Sequence, residues 1–207
     1  MLTLYGAKGS GSAAIESALT IAGLPFRAVE AATWKPGPGY EELKRVNPLA
    51  QIPTLVLEDG TVMTESAAIL IWLGLRYPQS GLLPAEPAQA LRGLVFIAAN
   101  CYAAIGIIDY PERFCADCDK PTHERIKAGA TARLHLYWDM FADQFGAMFK
   151  PAAPGALELL AATVARWSGA RAHLKEHRPS FHAMLEKVEV DPRIAAIFQR
   201  HWPEKNG

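Results

Sequence analysis

An α/β half followed by an all-helical half is the fold class that this sequence predicts. Three observations carry it. Strand and helix signals alternate over residues 1–77, a Pro-rich connector covers 76–90, and beyond it strand signals stop while helical periodicity runs on. The 207 residues can form one large domain or two of about 100 residues each. The shift from mixed to all-helical pattern favours two domains in tight contact, at 1–78 and 88–207 with a linker at 79–87.

The elements follow in order. Residues 2–5 form a short strand, and residues 12–22 place Ala14, Ile15, Ala18, Leu19 and Ala22 on one helical stripe that ends at Gly23. A second strand at 26–29 follows Pro25, and "TWKPGPGYEELKRVN" supplies a Pro/Gly loop and a short helix. Strands at 54–57 and 61–63 flank Asp59-Gly60, a strong hairpin signal, and an apolar-striped helix fills 66–76. The first half therefore reads β-α-β-α-β-β-α. Helices are expected beyond it at 88–108, 124–149, 156–168, 181–188 and 193–201, separated by Pro and Gly.

Composition excludes several classes. Half of the residues are hydrophobic, 20% are charged, and 21 basic residues balance 21 acidic ones, so neither disorder nor a polyanion-binding surface is indicated. No nucleic-acid partner is expected. Met1 leads directly into strand-like residues with no leader pattern, and the apolar run at 93–108 is too short to span a bilayer and contains Asn100; a cytoplasmic protein without a membrane span is the expectation. Three cysteines are too few for a disulfide scaffold. Cys115 and Cys118 form a lone C-x-x-C in a loop, which reads as incidental beside the alternatives of metal binding or a regulatory disulfide. His173, His177 and His182 form no ligand set and read as surface histidines, so no metal is expected.

The chemistry concentrates in "NPLAQIPTLVLEDGTVMTESAAIL", residues 47–70. Pro53 lacks the N–H that a central strand needs, so it belongs at a strand start. A cis bond there would turn the backbone of Ile52 outward to pair with an extended ligand, and a trans bond would simply mark the loop boundary. Glu65 and Ser66 stand where a helix begins and its unpaired N–H groups face outward. Ser66 is a plain N-cap on one reading. On the other, the helix start takes a carboxylate while Glu65 takes an amine, so that together they hold both charges of an amino-acid-like group.

"NPLAQIPTL" followed by "TESAAIL" resembles the glutathione-binding half of the cytosolic glutathione S-transferases, and the resemblance covers the whole chain. It implies a thioredoxin-like N-terminal domain of β-α-β-α-β-β-α order before an all-helical domain, with a cis-proline after the residue whose backbone pairs with the glutathione cysteine. Those residues are Pro53 and Ile52. Glu65 and Ser66 match the acidic-then-Ser pair that grips the γ-glutamyl end, and Gln51 matches a position that often contacts the tripeptide. The implied activity is transfer of glutathione, as thiolate, to a small hydrophobic electrophile, with glutathione as co-substrate and a homodimer as the assembly. The alternative is a non-catalytic binding or stress-regulatory module of the same fold.

Lowering a thiol pKa from about 8.5 to about 6.5 requires ~2.7 kcal/mol, which one or two hydrogen bonds to the sulfur supply. In "LYGAKGSGSAAIE" the donor favoured is Ser10, then Ser12, with Tyr5 third. Ser12 is also a good N-cap, and Tyr5 also a plain strand aromatic. No cysteine stands in this loop, which points to a bacterial serine-type site rather than a cysteine-type one. Lys35, ahead of Trp34 in preference, is the candidate for the glycine carboxylate of glutathione. Asn100, Tyr102, Asp109 and Arg113 are candidate lining residues of the electrophile pocket. One departure is visible: where the family often has Ser or Thr capping an interior helix with Asp three residues on, "PGALELL" has Gly155 and Glu158. Gly is an acceptable, slightly weaker cap.

Overall fold

The computed structural model describes residues 1–203, so the last four residues of the expected second domain lie outside the described residues. Its first part is a four-stranded mixed sheet of order β2-β1-β3-β4, with β1 Leu2–Gly6, β2 Phe26–Glu30, β3 Thr54–Val56 and β4 Val62–Met63. β1 pairs parallel to β2 and antiparallel to β3, and β3 pairs antiparallel to β4. Helices α1 Ser12–Ile21, α2 Pro38–Val46 and α3 Ser66–Arg76 complete the expected order. This is the thioredoxin-like arrangement.

Side chains alternate across a strand, and β1 uses both faces. Leu2 and Leu4 join Ile15, Leu19, Ile69 and Leu70 in the main core, whereas Tyr5 joins Ala31 and Leu43 in a smaller one beneath α2. The Asp59-Gly60 turn forms as expected, with Gly60 at φ 86° and the Asp59 carboxylate accepting the Thr61 amide at 2.9 Å.

The helical part comprises α4 Ala88–Phe96, a π-helical segment Ile97–Tyr102, α5 Ala103–Asp109, α6 Lys120–Phe145, α7 Ala156–Val164, α8 Ala170–His177, α9 Pro179–Glu189 and α10 Ala195–His201. α6 begins earlier than expected because the Asp119 side chain caps it, accepting the Thr122 amide at 2.9 Å. α8 was not expected. Its sequence ARAHLKEH buries only Ala170 and Leu174, too few apolar positions to show a stripe. α7 is the opposite case, with every residue buried, and its side chains join the core that also holds α1 and α3. One hydrophobic core thus runs through both parts, around Trp138, Phe141 and Phe145 in the helical one.

Three expectations are corrected. The continuous helix Ala88–Asp109 has 22 residues and is long and apolar enough to cross a membrane by length and composition, so shortness is not an argument about it. Here its Leu94, Ile97, Cys101 and Ile105 pack into the core. His173 and His182 are not surface histidines. Their side chains are only 14% and 12% exposed, and His173 stacks at 4.4 Å on both His135 and His177 while pairing with Asp139 at 3.0 Å. Cys115 and Cys118, read as incidental, are joined as a disulfide.

Gly155 is the N-cap of α7, with its amide donated to the Glu158 carboxylate at 3.1 Å. A β-carbon at Gly155 would lie 2.7 Å from the carbonyl oxygen of Leu82, which itself accepts the Ala156 amide at 2.8 Å. Glycine stands in place of Ser or Thr because the connector backbone passes directly over it.

Candidate functional site

Asn47 organises the loop before β3. It ends α2, is 3% exposed, and uses its whole amide group: the carbonyl accepts the Leu49 amide at 3.0 Å, and the NH2 donates to the Gln51 carbonyl at 3.2 Å and to Thr54 Oγ1 at 2.9 Å. Thr54 Oγ1 in turn donates to the Gln51 carbonyl at 2.7 Å. These bonds hold the loop through Ala50, at φ 50°, to the Ile52–Pro53 peptide, which is cis. Ile52 lies outside the sheet register, which begins at Thr54, while the Gln51 side chain sits on an exposed residue and Pro53 is buried.

The next turn is equally specific. Glu65 is exposed and adopts φ 62°, a conformation rare for side chains other than glycine, and Ser66 opens α3 as a buried residue. Neither the Ser66 nor the Ser12 side chain caps its helix. Glu65 and Gly11 hold the cap positions and no side-chain cap bond forms at either, so the capping readings of both serines fail.

Ser10 and Ser12 are buried and face one another, with their hydroxyl oxygens 2.8 Å apart. Ser10 Oγ donates to the Ala7 carbonyl at 2.8 Å and accepts the amides of Ala7 at 3.3 Å and Ser12 at 3.2 Å. Ser12 Oγ lies 3.3 Å from both the Ala7 carbonyl and the Ala7 amide. Each serine has one proton to give, and the loop contains acceptors for both. Tyr5 faces elsewhere: its hydroxyl donates to Glu42 at 2.7 Å, a carboxylate that Arg27 also holds at 2.6 Å. Burial, together with the hydrogen bond and charge of Glu42, pushes the Tyr5 pKa up. Lys35 and Trp34 are exposed on the loop before α2.

The packing adds residues that the sequence did not connect. A β-carbon at Gly11 would lie 2.5 Å from Tyr102 Oη and 3.4 Å from Pro53 Cδ, so the start of α1, Pro53 and the Tyr102 hydroxyl converge on one point. Ser66 and the charge of Glu65 act on the same hydroxyl, whose pKa burial pushes up to about 12. The Tyr102 ring is braced by Trp167 at 5.8 Å, and Trp167 Nε1 donates to the Gly9 carbonyl at 3.2 Å. The Gly9 amide donates to His201 Nδ1 at 3.2 Å, and His201 Nε2 pairs with Glu16 of α1 at 3.0 Å. Of the other lining candidates, Asn100 turns its amide to the Phe96 carbonyl at 3.0 Å and Arg113 stacks 3.8 Å over Tyr110. Burial raises the Asp109 pKa, against the opposing charge of Lys127. Among the described residues no group of three or more His, Cys, Asp or Glu is placed to hold a metal ion.

Comparison with known proteins finds likeness to glutathione transferases. The glutathione S-transferase N-terminal domain family matches residues 12–76. The uncharacterised GST-like protein YncG of Escherichia coli (strain K12) is 37% identical over 131 residues, which span 61% of this chain and 63% of that protein. A probable maleylacetoacetate isomerase of Caenorhabditis elegans is 48% identical over 48 residues, 23% of this chain and 22% of that one. Among solved structures, a glutathione transferase of Methylococcus capsulatus str. Bath superposes with a TM-score of 0.75 at 27% identity, covering 97% of this chain and 98% of that one. A glutathione transferase homologue from Sulfitobacter with bound glutathione shares the fold, with a TM-score of 0.80 at 22% identity over 95% and 96% of the two chains.

Proposed function

We propose that this chain is a glutathione transferase that presents the tripeptide's thiolate to a small hydrophobic electrophile, a reading supported by the match of residues 12–76 to the glutathione S-transferase N-terminal domain family and by the likeness to a GST-like protein over 131 residues. The observation that carries the reading is the convergence of the Ile52–Pro53 turn, the start of α3 at Glu65 and Ser66, and the start of α1 at Gly11 around one hydroxyl. The backbone of Ile52 pairs with the cysteine residue of glutathione, and Glu65 and Ser66 hold the amine and carboxylate of its γ-glutamyl end. Gln51 borders the same stretch, and Lys35 takes the glycine carboxylate. The sulfur then lies at the N-terminal end of α1, where the helix dipole favours negative charge. Ser10 and Ser12 are part of that end and shape it.

In the reaction the thiol loses its proton to water. The sulfur lone pair forms a bond to an electrophilic carbon, whose leaving group departs with the bonding pair or whose conjugated π electrons take up a proton. No metal is required for this step. The proposal includes a division of the chain at residues 79–87, a homodimer as the assembly and the cytoplasm as the location.

Calorimetric titration with glutathione, followed by a screen of aryl halides and Michael acceptors, tests the reading. Saturable binding with turnover of at least one electrophile is expected. Absence of binding at millimolar glutathione would overturn it, and binding without any turnover would favour a non-catalytic module.

A further inference from the structure

Glutathione bound in this cradle needs a hydrogen-bond donor for its sulfur, and the serine pair is poorly placed to provide one. Ser10 Oγ is 2.8 Å from both the Ala7 carbonyl and Ser12 Oγ, and Ser12 Oγ has Ala7 as its further partner. Giving either proton to a ligand opens the bonds that shape the loop before α1. Both serines are more than nine-tenths buried, so water does not replace the lost bonds at low cost.

Tyr102 stands differently. It closes the π-helical segment Ile97–Tyr102, a wider turn than an α-helix makes and one often found at functional sites. Its hydroxyl reaches Gly11 at the start of α1, the glycine that Pro53 also borders, and lies near enough to Ser66 and Glu65 for both to influence it, so it lies close to each of the three backbone segments that form the cradle. Gly11 is what admits it, since a β-carbon there would lie 2.5 Å from Oη. The ring is held by Trp167, which is itself bonded to Gly9 in the same loop, so the hydroxyl has little freedom to swing away.

Resting on glutathione binding at this cradle, we propose that Tyr102 is a catalytic residue whose hydroxyl donates the hydrogen bond that holds the glutathione sulfur as thiolate. The thiol proton passes to water, and Tyr102 keeps its own proton and donates it to the sulfur anion without transfer. Burial holds the phenol at about 12, so the donor stays protonated wherever the thiol titrates. Ser10 and Ser12 are then positioning residues for the loop.

The test uses glutathione labelled with carbon-13 at the cysteine β-carbon, whose shift reports thiol ionisation in the complex. In Tyr102→Phe the bound-thiol pKa is expected to rise by about one unit, a tenfold fall in the thiolate-to-thiol ratio at neutral pH, with affinity measured at pH 6 kept within about threefold. A Tyr102→Phe complex that titrates like the parent would overturn the proposal and return the donor role to Ser10 or Ser12. Gly11→Ala, which pushes the hydroxyl aside without removing it, provides the second variant if the first misfolds; the same rise is expected and an unchanged pKa overturns the proposal. Failure of the unmodified protein to bind glutathione removes the transferase reading itself, and is recognised separately because it needs no variant.

Discussion

His201 Nδ1 accepts the backbone amide of Gly9 at 3.2 Å, across 192 residues of sequence. The last helix thereby fastens the loop that leads into α1, and the other ring nitrogen of the same histidine meets Glu16 at 3.0 Å. Removing the imidazole leaves the partly buried Gly9 amide without its partner and the Glu16 carboxylate with Arg200 alone, which costs about 1–3 kcal/mol. His201→Ala is therefore expected to lower the thermal midpoint and to weaken glutathione binding together. Chemical denaturation and calorimetry measure the two effects, and an unchanged denaturation midpoint would show that the contact is incidental.

Glu16 gives a pH dependence with a definite sign. Burial alone would raise its carboxyl pKa, but the His201 bond and the Arg200 guanidinium outweigh burial and the folded value is lowered. A lowered folded pKa contributes stability that is present above the unfolded value of about 4.3 and is lost as pH falls through the folded value. Unfolding free energy should therefore drop on acidification below about pH 4.5, and Glu16→Gln should flatten that part of the profile. Denaturant titrations at several pH values compare the slopes.

Asn47→Ala removes the amide that spans Leu49, Gln51 and Thr54. The Leu49 amide loses its acceptor, while the Gln51 carbonyl and Thr54 Oγ1 each lose one of their bonds and keep the one between them, for which about 2 kcal/mol of stability loss is expected. Because the same bonds set the approach to Ile52 and Pro53, the dissociation constant for glutathione should rise about tenfold, equivalent to ~1.4 kcal/mol. Full affinity in the variant would show that the turn holds its shape without Asn47.

Gly155→Ser installs the residue that the wider family often uses to cap this helix. Here the added β-carbon would meet the Leu82 carbonyl oxygen at 2.7 Å. The expected outcome is destabilisation by about 1–3 kcal/mol, against the small gain that a better capping side chain would bring elsewhere. A rise in the thermal midpoint would show that the connector yields.

Much of the first part was legible because its signals are local. Strand and helix periods, the Asp59-Gly60 turn and the run from Asn47 to Ser66 lie within short windows, and the structure has the same order of elements. Asn47 opens that run, and an Asn-Pro pair signals a turn without showing that the side chain ties Leu49, Gln51 and Thr54 together. The polar helix α8 leaves no apolar stripe because it buries two residues only, and nothing local distinguishes the partly buried His173 and His182 from solvated histidines such as His177.

The roles of the hydroxyls were legible only in part. The sequence ranks Ser10, Ser12 and Tyr5 as donors in that order; in the structure strand alternation turns Tyr5 toward Glu42, and the loop folds Ser10 and Ser12 onto Ala7. Tyr102 was read as one of several residues lining a second pocket. Its contact with Gly11 joins positions far apart in the chain, and so depends on tertiary packing in which the π-helical segment and α1 both lie against α7.

By itself the sequence determined the order of elements in the first part and the residues of the Pro53 and Glu65–Ser66 turns, because these are written in periodicity and spacing over short windows. Only the tertiary structure decided which hydroxyl meets the cradle and what braces it. Gly9, Gly11, Tyr102, Trp167 and His201 come together through burial of one core shared by both parts, and hydrophobic burial is non-directional. It leaves no local pattern from which such a meeting can be read in advance.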